Sequence, residues 1–381
     1  MATHILTVTE TTFKIHLKYM FIGTGRNGYS HQNGALADIL SIRENDNIIF
    51  YVMNVGFFGI FKAVGSVFYD YNSYQNHHPQ YLNDYLDNKT LTYRMKIEAL
   101  EVYQDPISEW DMMENPNNIQ NQSIYNMQWS WIFKKLNAAR GCLSLDNHEF
   151  TLFKNILIAN NQRLNNGLNY NYTNRLISLL NDGTVYDTSC TTCSPRTDDV
   201  INKIDKEEDL RILFTAQSGN HNTLNQVLQP NNNGNINLIS NEILCSFSER
   251  KMDLLFGTDQ NKCLLIELKN EFIFNTGIYN QIKEYSRWIS AYKINYINII
   301  PILIIKEARI LPKRRGSKYF KYLSRTNRNN NVVSYWYQSI LNEISQAKIN
   351  LQNENIDRVD DLQVYIFNTD ENNTLVSFES I

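Results

Sequence analysis

The stretch that decides the architecture of the second half of the chain is Lys251–Lys269, KMDLLFGTDQNKCLLIELK. Two apolar runs, Met252–Gly257 and Cys263–Lys269, flank the polar turn Thr258–Lys262. Short runs of this kind bounded by turn residues read as two paired strands. Side chains alternate across a strand, so Glu267 and Lys269 share one face while Ile266 and Leu268 take the other. A carboxylate and an ammonium at the end of an otherwise apolar strand are costly unless they pair or bind a cation. Asp253, on the neighbouring strand, reaches the same end. Two carboxylates beside one lysine make a hard oxygen site suited to Mg2+, which can position or activate water. An ordinary ion pair at a strand end is the competing reading.

Working outward, Lys206–Gln217 places Leu210, Leu213 and Phe214 at helical spacing, with Asp205 as N-cap. Glu207, followed by Glu208 and Asp209, lies just inside that helix and is a further candidate metal ligand. Thr223–Leu228 precedes the loop Pro230–Asn235, and Ile236–Phe247 reads as another strand. Thr276–Tyr292 reads as a helix on which Gln281 and Tyr285, spaced i,i+4, share a face. Tyr296–Ile305 has the continuous apolar character of a strand buried on both faces. A helix at Val332–Asn350 and a strand at Leu362–Phe367 complete an α/β pattern around a mixed sheet.

Taken in order, the acid ahead of a Leu-rich helix (Glu207…Leu210), Asp253 in RKMDLLFG, Glu267-x-Lys269 in LLIELKN and Gln281-x-x-x-Tyr285 resemble the PD-(D/E)xK nuclease superfamily. Within it they are most similar to the nuclease domain of NucS-type endonucleases and related restriction nucleases, over about Lys203 to Ile305. One departure is that Met252 stands where a proline often precedes the aspartate. The resemblance implies Mg2+-dependent phosphodiester hydrolysis, with Mn2+ able to substitute. It implies Asp253, Glu267 and Glu207 as metal ligands, and Lys269 as the group that orients or helps deprotonate the attacking water. Gln281 would orient Lys269 or contact the nucleic-acid backbone, with Tyr285 beside it. Whether Glu207 or Glu208 is the helix acid is left open.

Between Lys306 and Arg328 lie Arg309, Lys313, Arg314, Arg315, Lys318, Lys321 and Arg325, opposed only by Glu307 and interleaved with Tyr319, Phe320 and Tyr322. Cations can follow a phosphate backbone while rings stack on bases; a solvated basic loop is the plainer reading. The whole chain, with 36 Lys and Arg against 39 Asp and Glu, carries a net charge of −3. That balance argues against a generally polybasic binder, so a polyanion partner requires a polarised distribution.

The first half reads mostly as short strands. Asn47–Val55 and Phe57–Val67, split by Gly56, form a hairpin, Leu91–Tyr103 alternates as a strand, and Trp131–Ala139 and Phe150–Ala159 are helical. Strands curled around a small core predict a β-barrel. KYMFIG (Lys18–Gly23), NIIFYVMNVGFFGI (Asn47–Ile60) and Lys62–Tyr69 resemble PUA-like barrels of the EVE and YTH type, over about His16 to Ile158. That resemblance implies a pocket for a flipped, modified base, with Phe57, Trp110, Trp129 and Trp131 as candidate rings and Asn54 as a hydrogen-bonding group. Trp129 and Trp131 share a face on a strand and diverge on a helix, and the sequence leaves the choice open.

The turn-rich segment 181–199 reads as a linker, giving a PUA-like domain over residues 1–180 and a nuclease domain over 200–381. The fold class is α/β, α+β overall. At 381 residues the chain has room for about two domains. Five widely spaced cysteines and no basic-then-apolar leader at Met1–Ile5 predict a cytoplasmic protein, and no run is long and apolar enough to span a bilayer. The glycine-rich Gly23–Gly28, the pair His77 and His78, and Cys190-x-x-Cys193 lack the context of a phosphate loop or a metal site. The combined expectation is a homodimeric, Mg2+-dependent endonuclease that acts on DNA, with RNA left open, and restricts modified DNA. A repair nuclease for mismatched or branched DNA and a non-catalytic nucleic-acid-binding module are the rivals.

Overall fold

The computed structural model describes residues 2–24, 32–69, 91, 93–109, 111, 142–145, 147–159, 161–180, 182, 203–218, 221–228, 236–244, 251–292, 296–307 and 335–381. The chain divides into two units, Met1–Val200 and Ile201–Ile381. The basic stretch with Lys313, Arg314, Arg315 and Lys318, the rings Trp110, Trp129 and Trp131, the helix expected at Trp131–Ala139, the His77–His78 and Cys190–Cys193 pairs and nearly all of the 181–199 linker lie outside the described residues.

The first unit runs β1 (Thr3–Val8), α1 (Glu10–Tyr19), β2 (Phe21–Thr24), α2 (Gln32–Leu40), β3 (Asn47–Val52), β4 (Gly56–Tyr69), β5 (Tyr93–Glu101), β6 (Cys142–Leu145), α3 (Asn147–Ala159), β7 (Asn169–Thr173) and β8 (Leu176–Leu180). Six strands form one sheet in the order β2-β5-β4-β3-β1-β6, with β1 and β3 parallel, while β7 and β8 pair separately. The sheet does not close into a barrel among the described residues, which corrects that part of the sequence expectation. Its central strand β3, NIIFYV, is buried throughout. Ile48, Phe50 and Val52 join a cluster with Phe13 and Leu17 of α1, whereas Ile49 and Tyr51 join one with Phe153, Ile156 and Leu157 of α3. A strand that feeds two cores in this way needs apolar residues on both faces, and helices cover both faces.

The same division settles Phe57. It is fully buried, with its ring 4.9 Å from that of Tyr51 and 5.3 Å from that of Phe153, so it is a core ring and not a pocket wall. Asn54 is exposed in the tight β3–β4 turn with φ of 63°, a left-handed geometry that asparagine tolerates. Gly56 follows at φ of 145°, where a side chain would run into the Ile107 carbonyl.

The second unit runs α4 (Glu207–Gln217), α5 (Asn222–Leu228), β9 (Ile236–Leu244), β10 (Lys251–Thr258), β11 (Lys262–Lys269), α6 (Thr276–Tyr292), β12 (Asn298–Lys306), α7 (Tyr335–Asn353), β13 (Gln363–Thr369) and β14 (Leu375–Ser380). The sheet order is β14-β13-β12-β11-β10-β9. Strands β11, β12 and β13 are parallel, joined by α6 and α7 as crossovers, and the outer pairings are antiparallel. Leu303, Ile305, Val364 and Ile366 pack against Ile278 and Ile282 of α6 and Ile340 and Ile344 of α7. Glu267 is in register with Leu303 and Lys269 with Ile305, so both charged side chains emerge on this helix-covered face, at the end of β11. The fold is α+β, as the sequence predicts. No helix among the described residues is long and apolar enough to cross a membrane.

Candidate active site

The hairpin register brings the first carboxylates together. β10 and β11 pair with Leu254 opposite Ile266, so Asp253 and Glu267 are aligned one step beyond the end of that ladder. The ladder gives way there to a side-chain bond, with the Leu268 N–H donating to Asp253 Oδ2 at 2.8 Å. Glu267 is only 2% exposed. Lys269 folds back over it and donates from Nζ to Glu267 Oε1 at 2.8 Å, to the Leu268 carbonyl at 2.5 Å and to Glu207 Oε2 at 3.5 Å.

The three consecutive acids that open α4 are sorted by geometry. The Asp209 carboxylate accepts the backbone N–H groups of Asp205 (3.0 Å) and Lys206 (2.8 Å), tying down the helix start. Glu208 pairs with Arg211 at 3.5 Å. Glu207 alone of the three reaches Lys269, which makes it the candidate for the helix acid. The N-cap position belongs to Lys206, one residue later than the expected Asp205.

Three carboxylates therefore surround one ammonium, and the ionisation of the two buried ones, Glu267 and Asp253, responds. Burial and the neighbouring Asp253 charge push the Glu267 carboxyl up to about 8, against the pull of Lys269. Asp253 is also raised, by burial first, with Lys269 and the Leu268 N–H opposing. Burial works against the Lys269 ammonium, but Glu267, then Asp253 and Glu207, outweigh it and hold the group above its usual value. Lys269 thus stays charged at neutral pH.

A cation ligand set can be tested against this geometry. Glu267 Oε2 is buried and accepts no hydrogen bond. A buried carboxylate oxygen left in that state carries an uncompensated cost. With Asp253 aligned beside it, the pair suits a divalent ion such as Mg2+, which is held by one or two carboxylates and keeps several of its waters. The three-carboxylate set expected from the sequence is not assembled: among the described residues no three His, Cys, Asp or Glu side chains are grouped to hold a metal. Glu207 meets the site through the Lys269 ammonium, which contacts both Glu207 and Glu267.

The remaining two expected site residues separate. Gln281 lines the same hollow as Lys269, at the start of α6. Tyr285 is buried, and its hydroxyl donates to the Lys251 carbonyl at 2.7 Å, pinning α6 to the start of β10. Its role is to hold the hairpin and not to contact nucleic acid, since both ring and hydroxyl are engaged inside the fold.

No family model and no curated protein matches the chain. Solved structures with which it shares a likeness include a protein from Pseudomonas putida (10% identity, 41% of this chain and 99% of that one, TM-score 0.27). A second, from Pseudomonas syringae, shows 13% identity over 41% of this chain and 100% of its own, with a TM-score of 0.28. A third is human THYN1 in complex with 5-methylcytosine-containing DNA, at 10% identity over 40% of this chain and 95% of that one, TM-score 0.28. Overlaps of this extent carry no inference about activity, and none of the three is named as a nuclease.

One constellation escaped the sequence reading. In the first unit Ser144 Oγ lies 3.1 Å from His4 Nδ1, and His4 Nε2 lies 3.1 Å from Asp46 Oδ2. Asp46 also accepts the N–H groups of Ala2 (2.7 Å) and Arg43 (2.9 Å). These are the residue types of a serine nucleophile, but all three are buried, at 4%, 1% and 5% exposure. A nucleophile needs access to its substrate, so this set is a polar tie joining β1, β6 and the turn before β3. No sequence motif could reveal it, because its members come from three distant segments.

Proposed function

We propose that the second unit is a phosphodiester hydrolase acting on DNA, with Asp253 and Glu267 holding a divalent cation, most simply Mg2+ or Mn2+. The observation that carries this reading is the buried, unpartnered Oε2 of Glu267, a carboxyl whose other oxygen accepts from the Lys269 ammonium and which is aligned with Asp253 at the end of the strand. A bound cation would supply charge stabilisation for a phosphate and for a hydroxide-like water. Water attack forms one P–O bond and breaks the bond to a sugar oxygen, which leaves with a proton. Lys269 is held as an ammonium, so its part is to orient the phosphate or water and to offset developing negative charge; it does not take the water's proton. Glu207 keeps that ammonium in place from the other side.

The first unit supplies recognition in this proposal, reading a modified base, and the pairing makes the protein a modification-dependent restriction endonuclease. Support comes from the sequence resemblance of the first unit. Two copies, each cutting one strand, would complete a double-strand break.

The test is cleavage, with Mg2+, of matched duplexes that are unmodified, methylated, hydroxymethylated or mismatched. Wild type is expected to cut and Lys269→Ala to lose at least about a hundredfold in rate, with DNA binding retained. Equal cutting of modified and unmodified DNA would remove the restriction reading alone, and preference for mismatches would turn it into repair. Binding without cleavage by wild type would reduce the protein to a nucleic-acid-binding module.

A further inference from the structure

A hollow of about 390 Å3 adjoins the candidate active site, lined by Lys269, Ile273, Asn275, Gly277, Ile278 and Gln281. We propose that it seats one nucleotide of the substrate strand, next to the phosphate that is cut; this rests on the nuclease reading. Its walls are chemically uneven in a way that selects the occupant. Lys269 is the one charged side chain among the lining residues, and the carboxylates of the site are not among them. An anionic end would meet the Lys269 side once a divalent cation on Asp253 and Glu267 offsets the carboxylate charge that this ammonium now contacts. Ile273 and Ile278 offer an apolar wall against which the flat face of a base or a sugar loses water. Gln281, on the next turn of α6, presents an amide that both donates and accepts, the pairing a base edge needs.

The local backbone explains why the hollow is open. Asn275 Oδ1 accepts the Ile278 N–H at 3.0 Å, fixing the entry to α6. Gly277 sits between them, and a Cβ there would come within 3.0 Å of the same Asn275 oxygen. A side chain at that position would press on the cap as well as fill space, so glycine keeps both. The volume lies at the small end of the roughly 300–1,000 Å3 typical of ligand pockets, which suits a single nucleotide and not a base pair. Gln281, on this reading, is a substrate-positioning residue one nucleotide away from the bond that breaks.

The experiment has two arms. In the first, the wild-type cut position is mapped on a fixed oligonucleotide, and a single abasic residue is then moved through the flanking positions. One flanking position is expected to lower kcat/KM about tenfold, and that penalty should shrink to about twofold or less in Gln281→Ala and in Ile273→Ala. In the second, protein with Mg2+ is mixed with dAMP, deoxyribose 5-phosphate or inorganic phosphate, and hydrogen exchange is followed across residues 269–281. The expected result is greater protection by dAMP than by either base-free ligand. Cleavage with no position-dependent abasic effect and equal protection by all three ligands overturns the subsite and leaves the nuclease reading standing. Selective protection by dAMP in a protein that never cleaves supports the subsite and overturns the nuclease reading.

Discussion

Replacing Glu267 by Gln should stabilise the metal-free protein at alkaline pH, and the size of that gain follows from the site's geometry. In the folded protein the carboxyl is pushed from an ordinary 4.5 up to about 8, by burial first and then by Asp253. Below about pH 4.5 it is protonated whether the chain is folded or not, and it costs nothing. Between about 4.5 and 8 the folded state keeps a proton that the unfolded state has lost, so stability falls steadily as pH rises. Above about 8 both states are ionised and the full penalty stands. Each unit of pKa displacement corresponds to about 1.36 kcal/mol, which sets a ceiling of about 5 kcal/mol for this group. Glutamine retains an oxygen for Lys269 but has no proton to lose, so the variant should escape the penalty.

Hydrogen exchange of peptides covering Lys251–Lys269, measured on both proteins in EDTA from pH 5 to pH 9, isolates the effect in this unit, and intrinsic exchange rates cancel at each pH. The variant's advantage should grow across that range by more than about 2 kcal/mol, and millimolar Mg2+ should narrow it by stabilising the wild type alone. Parallel stability profiles for the two proteins would refute the buried-charge argument, and with it the reason for assigning a cation to Glu267.

Other expectations are cheaper to check. Glu207→Ala should impair cleavage, whereas Glu208→Ala should leave the cleavage rate within about twofold, since Glu208 turns to Arg211 and away from Lys269; a rate assay on the two variants decides it. Tyr285→Phe removes the bond to the Lys251 carbonyl and should cost about 1–2 kcal/mol in a urea titration. DNA affinity in a binding titration should not change, and a specific loss of affinity would restore Tyr285 to the nucleic-acid surface. Gly56→Ala should destabilise the first unit by about 2 kcal/mol or more, because a Cβ at φ of 145° meets the Ile107 carbonyl; thermal melting measures it.

The legible parts of the sequence were those in which one local pattern had one physical outcome. Thr276–Tyr292 reads as a helix with those same bounds in the structure, because its apolar residues recur on one face and Asn275 caps it. Glu267 and Lys269 fall together because the strand period leaves no other choice. Helix α1 was illegible for the opposite reason. ETTFKIHLKY places Phe13, Ile15 and Leu17 at alternate positions, which is a strand pattern, and all three are buried in the helix because two separate clusters receive them. The cap of Thr9 on Thr12, in which each threonine accepts the other's N–H, sets the helix start. Phe57 was misread because an aromatic beside a glycine looks the same in sequence whether it lines a cavity or fills a core. Only the arrival of Phe153 from α3 distinguishes the two.

The sorting of Glu207, Glu208 and Asp209 shows what the structure adds that composition cannot. Identical charge at three successive helical positions has three different fates, because each residue is rotated by about 100° from the last. Asp209 turns back to the helix start, Glu208 to Arg211 and Glu207 to the strand end that carries Lys269. The ammonium placed there balances only part of the facing negative charge, and the fold leaves the rest to a proton on the buried pair. A site that must borrow a proton at neutral pH is one in which a divalent cation gains free energy by replacing it. That exchange, and not the mere presence of acids on a sheet, is the physical reason for proposing phosphodiester chemistry at this hairpin.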